Sequence, residues 1–591
     1  MHKILSSENL NIHSSSLIIE ELVRFGVTYF CVSPGSRSAP LTIAVSRNSK
    51  AIMKIIYDER GAAFHALGYS RATQKPAVLI CTSGTAVANY YPAVIEASQE
   101  FIPLIILSAD RPAELRNSGA NQTINQVKLF GKYSRFFYDL PCPENINQPS
   151  YILKIMDEAY YKATHKTKSG PVHINCTFRE PLWPEIQNKP ENYITQIKPW
   201  LQSNKVFSFP TGNSVSEIDK DSAYLTKFIN KNNFGIILCG RLDKNCGQKE
   251  IIHLAEKLNW PVFPDITSGL RFSKSSQNII QHYDQLLLSE KIILSLIGIP
   301  VLHFGSQFVS KRLLRILETN KAKHIHIHYT VKVVDPVKSV SKRIIHPIPE
   351  LIKGILGNLT QKPVQRITKN LISLNSSLFK IIRDYSDNPS VTVNEISVAG
   401  LISKYITNKS ALFLASSMPV RDMDMYGVAA EREVIVSANR GASGIDGTIA
   451  SAYGFACGHQ KALTLVIGDL AFIHDLSSLA MLQNLQFPFI IILLNNKGGG
   501  IFSFLPIADY KEVFEKNFAT PHNFSFKNSA KQFDLNYYNP KTNRDFLRVY
   551  KKSQTQKAAA LIEINSNRFQ NLRNHKSLQK EIMSVLSAKK L

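Results

Sequence analysis

Short apolar runs rich in branched residues recur along the chain, each followed by a polar loop and a stretch whose apolar positions fall at helical spacing. An amphipathic stretch Ser14–Phe25, closed by Gly26, leads into the run Val27–Val32, which ends in the loop Ser33-Pro34-Gly35-Ser36-Arg37-Ser38. Runs at Met53–Tyr57, Ala77–Cys81 and Pro103–Ser108 repeat the pattern. Their loops begin Asp58-Glu59-Arg60-Gly61, Thr82-Ser83-Gly84-Thr85 and Ala109-Asp110-Arg111-Pro112. Branched runs of this length, alternating with helices across polar turns, predict an α/β fold of doubly wound, mostly parallel sheets. In such sheets the loop after each strand lies on the carboxyl edge, where ligands bind.

The pattern divides the chain into three blocks. A polar stretch from Pro184 to Asp221 reads as a linker, and a second α/β block opens at Phe234-Gly235-Ile236-Ile237. Its expected strands include Pro261–Phe263 and Ile292–Ile297, and it closes near Leu356. Residues 358–392 read as a connector with a helix around Leu371–Asp384, and the third block starts at about Val393. The domains are therefore expected at 1–190, 206–360 and 385–575. Within the second, His324, His326 and His328 alternate onto one strand face. With no carboxylate or cysteine close by in sequence, a polar strand face is expected there rather than a metal site.

The third block carries the most pointed chemistry. Leu463–Ile467 and Phe489–Leu494 are expected to be buried parallel strands, joined by a helix over Leu476–Leu485 that Asp475 and Ser477 cap and Pro488 closes. Asp469, after Gly468, and Asn496 then both follow strand carboxyl ends and converge. An Asp469 carboxylate, an Asn496 amide oxygen and a main-chain carbonyl near Gly498 suit Mg²⁺, leaving positions for a diphosphate. Mn²⁺ takes the same oxygen ligands. The plainer reading makes Asp469 a helix cap and residues 495–498 a turn. Glu59 has a plain reading too, as a first-turn glutamate favoured by the helix dipole. The glycine-dense loop 440–447 opens a helix, so its N–H groups are expected to face an anion.

Composition narrows the class. The 591 residues are 44% hydrophobic, enough for several globular domains. A formal charge of +25 raises nucleic acid or a membrane surface as partners, and a basic nucleic-acid-binding protein is the rival reading from another class. Against it, the lysines are scattered, with no long basic tract and no aromatic stacking motif, so no nucleic-acid partner is expected. The beginning Met1–Leu10 lacks a signal-peptide apolar region, and no run approaches the ~18 apolar residues of a span, so no stable membrane insertion is expected. Seven cysteines without a Cys-x-x-Cys pair, with Cys31 and Cys81 in apolar runs, fit a reduced, cytoplasmic protein.

Taken in order, Ser33–Ser38, Asp58–Gly61, Thr82–Ala86, Ala109–Pro112, Gly119–Gln122, Ser417–Asp422, Asn439–Asp446 and the Gly468-Asp469…Asn496 pair resemble the thiamin-diphosphate-dependent decarboxylase and carboligase superfamily. Within it they are similar to the branch that serves menaquinone biosynthesis by decarboxylating 2-oxoglutarate and adding the succinyl fragment to isochorismate. The resemblance is dense in the outer blocks and thin in the middle one. It implies thiamin diphosphate with Mg²⁺, and a homodimer as the minimum, possibly a tetramer, with Glu59 and the diphosphate site contributed by different subunits. Glu59 matches the glutamate that hydrogen-bonds the aminopyrimidine. Ser443, Gly444, Ile445, Gly468, Asp469, Leu470, Asn496 and Phe502 match cofactor-lining positions, with Ile445 the prop beneath the cofactor. Leu470 stands where most of the superfamily has glycine, as in this branch. Ser36, Arg37, Arg111, Gln122, Lys311, Arg312, Ser417, Arg421 and Arg440 match a substrate lining. Guanidinium forks suit planar carboxylates, which argues against a pyruvate-using carboligase, the nearest rival.

Overall fold

The structure is a computed structural model, and it describes residues 9–588 apart from 145–147, 186–196, 209–217, 244–245, 273–275, 320–322 and 429–430. Parts of the expected linker and the beginning Met1–Glu8 thus lie outside the described residues.

Three parallel sheets organise the chain. The first holds β1 (Tyr29–Val32), β2 (Ile52–Ile55), β3 (Ala77–Cys81), β4 (Leu104–Asp110), β5 (Phe137–Leu140) and β6 (Pro171–Thr177), in the order β2-β1-β3-β4-β6-β5. The second holds β7 (Ile236–Cys239), β8 (Val262–Pro264), β9 (Val301–Phe304), β10 (His324–His328) and β11 (Val340–Ile345), in the order β11-β10-β9-β7-β8. The third holds β12 (Ser410–Leu414), β13 (Val434–Ser437), β14 (Leu463–Gly468), β15 (Phe489–Asn495), β16 (Asn536–Tyr538) and β17 (Ala559–Asn565), in the order β13-β12-β14-β15-β17-β16. Strands such as β3, β4, β12 and β15 are buried along their whole length, as helices on both faces require.

Each order runs from its first strand to one side and then crosses to the other, and such reversal points are where open sheets leave a crevice. In the first sheet it falls between β1 and β3, whose following loops carry Ser36-Arg37 and Ser83-Gly84. In the third it falls between β12 and β14, whose following loops carry Ser417 and Asp469. The middle reversal, between β7 and β9, is shut: Gly240 N–H donates to Phe304 O at 2.9 Å, and a Cβ on Gly240 would stand 1.7 Å from Ser306 O.

The chain forms two compact units. The first comprises 1–213 with 439–460 and 474–481, and the second comprises 214–438, 461–473 and 482–591. In the first, helix Thr448–His459 packs on helix Glu59–Thr73 through small residues: a Cβ on Gly454 would lie 1.9 Å from His65 O, and one on Gly68 2.0 Å from Ser451 O. The second holds the middle and third sheets. Asp424, on helix Met418–Tyr426 after β12, is buried and accepts from Ile266 N–H at 2.9 Å and Tyr283 Oη at 3.2 Å.

Three expectations need correction. Ile292–Ile297 is not a strand: Glu290–Ser295 is helical, with Ile292, Ile293 and Leu296 buried while Leu294 and Ile297 are 59% and 41% exposed. Pro300 then separates this helix from the true strand, β9. The helix after β14 begins at once, as Asp469–His474 followed by a 3₁₀ turn Leu476–Met481. Asp475 instead closes the start of helix Thr448–His459, accepting from Ile449 N–H at 2.6 Å and Ala450 N–H at 3.1 Å. The histidine face of β10 is buried, with His303 of β9 tilted against His326 at 4.6 Å and stacked on His324 at 5.5 Å. His326 Nε2 donates to Gly305 O at 2.9 Å and His324 Nδ1 meets Ser339 Oγ at 2.8 Å, so these rings are spent on packing and local bonds.

Candidate functional site

The expected site residues divide between the two units. In the first unit, Asp58 caps helix Glu59–Thr73 by accepting from Arg60 and Gly61 N–H at 3.0 and 3.3 Å. The cap is thus supplied by Asp58, so the Glu59 carboxylate is not needed for it. On the same carboxyl edge Arg37 is buried, with Nη1 donating to Phe178 O at 2.9 Å and Nη2 paired to Glu180 at 3.0 Å. Its charge is opposed first by burial and then by neighbouring Arg111, which lowers its pKa. The Nε atoms of Arg37 and Arg111 are buried and meet no acceptor among the described residues. Two guanidinium groups brought together with spare donors are a receptor for a carboxylate. Gln122 lies over the adjacent loop, its carbonyl accepting from Ser83 Oγ at 2.9 Å.

The glycine-dense loop departs from expectation. Glu96, on helix Tyr91–Glu100, accepts from Gly441 N–H at 2.8 Å and Ala442 N–H at 2.6 Å. Arg71 joins Glu96 at 3.2 Å and Asn439 at 2.7 Å. The anion these N–H groups face is therefore a side chain of the protein. Glu96 in this way fixes the loop that carries Arg440, Ser443, Gly444 and Ile445, and Ile445 stands 39% exposed at its tip.

In the second unit β14 and β15 pair with Gly468 opposite Leu494, which puts Asp469 one residue and Asn496 two residues beyond the last pair, on the same sheet edge. Asp469 Oδ1 accepts from Leu470 N–H at 2.7 Å, and Oδ2 from Gly498 N–H at 2.9 Å. Burial pushes its carboxyl pKa up, against those bonds and against His522. Asn496 engages the carboxylate of Glu395 through its side chain, while its Oδ1 is buried with no partner among the described residues. An orphaned amide oxygen beside a buried carboxylate is costly unless a cation completes it. The oxygen set therefore fits Mg²⁺ or Mn²⁺.

Residues following β12 and β15 line a cleft of about 1070 Å³. Lys311, Arg312 and Arg421 line it against Ile501, Phe504 and Leu505. Arg421 Nη1 donates to Ser417 O, and Ser417 holds the left-handed region at φ 74°, which turns this carbonyl toward the helix it starts. Arg312 pairs with Asp284, which also accepts from Ser310 Oγ at 2.5 Å. Phe502 sits edge-on to Phe518 at 5.7 Å, and its neighbours Ile501 and Ser503 line the cleft instead. Glu96, Asp284, Glu395 and His522 were not expected from sequence, since their partners lie far along the chain. Only the buried placement of a charged residue in an apolar helix, as at Glu96, offered a signal.

Residues 12–129 match the thiamine pyrophosphate enzyme N-terminal TPP binding domain, 191–414 the middle domain, and 420–564 the C-terminal TPP binding domain. The chain is 41% identical to the 2-succinyl-5-enolpyruvyl-6-hydroxy-3-cyclohexene-1-carboxylate synthase of Pelodictyon phaeoclathratiforme, over 98% of this chain and 97% of that one. It is 40% identical to the synthases of the same name from Chlorobium limicola and Prosthecochloris aestuarii, each over 97% of both chains. The chain belongs to the thiamine pyrophosphate enzymes, and within them to the 2-succinyl-5-enolpyruvyl-6-hydroxy-3-cyclohexene-1-carboxylate synthase family.

Proposed function

We propose that this protein releases CO₂ from 2-oxoglutarate and joins the remaining succinyl fragment to isochorismate, as a step of menaquinone biosynthesis. The observation that carries the reading is the clustering of Lys311, Arg312 and Arg421 on the wall of one cleft, against the apolar Ile501, Phe504 and Leu505. Thiamin diphosphate, when bound, supplies the nucleophilic carbon and the electron sink that decarboxylation needs.

The chain's own residues do the rest. Asp469, Asn496 and the Gly498 carbonyl hold Mg²⁺ or Mn²⁺ against the diphosphate, with Gly468 and Leu470 shaping the turn. Glu59 accepts a hydrogen bond from the aminopyrimidine and so sets its tautomer. Ser443, Gly444, Ile445 and Phe502 bound the cofactor. Arg421 and Arg440, with Ser417, Lys311 and Arg312, take the distal carboxylate of 2-oxoglutarate. Arg37 and Arg111, with Ser36 and Gln122, take the carboxylates of isochorismate. Apolar Ile501, Phe504 and Leu505 keep water from the reacting carbon and strengthen each charge pair.

Two copies make the working enzyme in this reading, Glu59 of one serving the diphosphate site of the other. Exposed Ile52, Ile55 and Tyr57, at 49%, 49% and 79%, form an apolar edge leading to Glu59 that a second copy would cover. The cytoplasm is its compartment: the seven cysteines are free, and among the described residues no helix is long and apolar enough to cross a membrane.

The test is CO₂ release by protein loaded with thiamin diphosphate and Mg²⁺, offered 2-oxoglutarate or pyruvate. Release from 2-oxoglutarate at concentrations where pyruvate is inert is expected. Equal use of pyruvate would show that the cations do not select a dicarboxylate.

A further inference from the structure

His522 lies beside the proposed metal carboxylate, on a segment with an unusual backbone. Phe514–Ala519 forms a π-helical turn, and Thr520 closes it in the left-handed region at φ 42°, which no β-branched residue adopts without cost. From there the chain wraps the loop after β15. Gly499 N–H donates to Ala519 O at 2.7 Å, and Asn495 Nδ2 donates to Phe524 O at 3.2 Å. A Cβ on Gly498 would stand 2.2 Å from Ala519 O, so the two segments interlock through glycine.

The imidazole is almost closed off, with 8% of its side chain exposed, and it stacks on Phe524 at 4.9 Å. Its two nitrogens have fixed roles. Phe524 N–H donates to Nδ1 at 3.2 Å, so Nδ1 carries the lone pair and the proton sits on Nε2. Nε2–H then donates to Asp469 Oδ2 at 3.2 Å. Oδ2 also takes Gly498 N–H, which uses both of its lone-pair directions. Oδ1 is held only by Leu470 N–H and keeps one direction for a cation.

We infer that His522 is a positioning residue of the metal centre: it saturates Oδ2, turns Oδ1 of Asp469 to the cation, and ties metal binding to the π-helical segment. The same segment contributes Phe514 and Glu515 to the wall of the substrate cleft, so metal occupancy and cleft shape share one support. The inference rests on the proposal that Asp469 binds the cation.

The experiment is calorimetric titration of the full-length protein with Mg²⁺ in the presence of saturating thiamin diphosphate, for wild type, His522→Leu, His522→Asn, His522→Gln and Asp469→Ala. Glutamine can place an N–H where Nε2–H stands, and asparagine cannot. Loss of a hydrogen bond that orients a metal ligand weakens metal affinity by about 10–100-fold. That loss is expected for His522→Leu and His522→Asn, with His522→Gln restoring affinity to within about threefold of wild type. Hydrogen exchange at 514–524 should slow on adding Mg²⁺ in wild type and His522→Gln, and stay unchanged in His522→Asn. Equal affinity in all four His522 forms while Asp469→Ala loses binding would overturn the role of His522 alone. Unchanged binding in Asp469→Ala would remove the metal site on which it rests. Equal weakening in Gln and Asn, with thermal midpoints lowered alike, would reduce His522 to packing and equally overturn the inference.

Discussion

Glu96 accepts from the main chain of Gly441 at 2.8 Å, across 345 residues of sequence, and so fixes the loop that carries Arg440 and Ile445. Glu96 is buried, and it pairs with equally buried Arg71. Replacing Glu96 with Ala leaves that guanidinium uncompensated, which costs about 3–5 kcal/mol. Glu96→Gln should cost less, because an amide oxygen still accepts one loop N–H. Urea denaturation of both variants checks this, and a loss below about 1 kcal/mol for Glu96→Ala would show that the loop stands without its clamp.

Arg421→Ala should weaken 2-oxoglutarate by about 1.5–3 kcal/mol, the value of a charge-assisted hydrogen bond, or roughly tenfold to a hundredfold in apparent affinity. Steady-state kinetics in 2-oxoglutarate measure it. Arg37→Ala should behave differently and still release CO₂ while failing to consume isochorismate. Parallel loss of both half-reactions in Arg37→Ala would mean that the two carboxylate receptors are not divided as proposed.

The histidine cluster of the middle sheet predicts an acid limb of stability. Burial holds His324 and His326 neutral, pushing each down to about 4; His326 adds to the effect at His324, the bond to Gly305 opposes it at His326, and Asp335 opposes it at both. His303 is lowered by burial first and then by His326 and His324. Folded-state values below the unfolded ones mean that the unfolded chain binds more protons between pH 6.5 and 4. Stability is therefore full above that window and is lost as pH falls through it, by up to about 1.4 kcal/mol per pH unit for each ring. His326→Gln, which keeps a donor for Gly305 O, should flatten the limb by one ring's share. Denaturation midpoints from pH 7 to 4.5 in both proteins decide it; parallel slopes would contradict the assignment.

What the sequence showed and what it hid follow from the range of the interactions. Buried parallel strands are continuous apolar runs, so the alternation of strand and helix could be read directly, as could the convergence of Asp469 and Asn496 at neighbouring strand ends. Ile292–Ile297 misled because a short apolar run carries no period, and only burial shows that Ile292, Ile293 and Leu296 share one helical face. Glycines at 441 and 444 suggested a loop open to a bound anion, yet the carboxylate that fills part of it comes from Glu96. Nor does any local pattern announce His522, whose contact with Asp469 spans 53 residues and depends on a π-helical turn.

The central claim is a metal-supported union of 2-oxoglutarate with isochorismate at Asp469, Asn496 and Glu59. Its most direct measurement is the disappearance of isochorismate in a mixture of protein, Mg²⁺, thiamin diphosphate and 2-oxoglutarate. Consumption that requires all four components, and that stops in both Asp469→Ala and Glu59→Gln, is the predicted result. Isochorismate that persists in the complete mixture, or consumption that continues in folded Asp469→Ala with a chelator present, would contradict it.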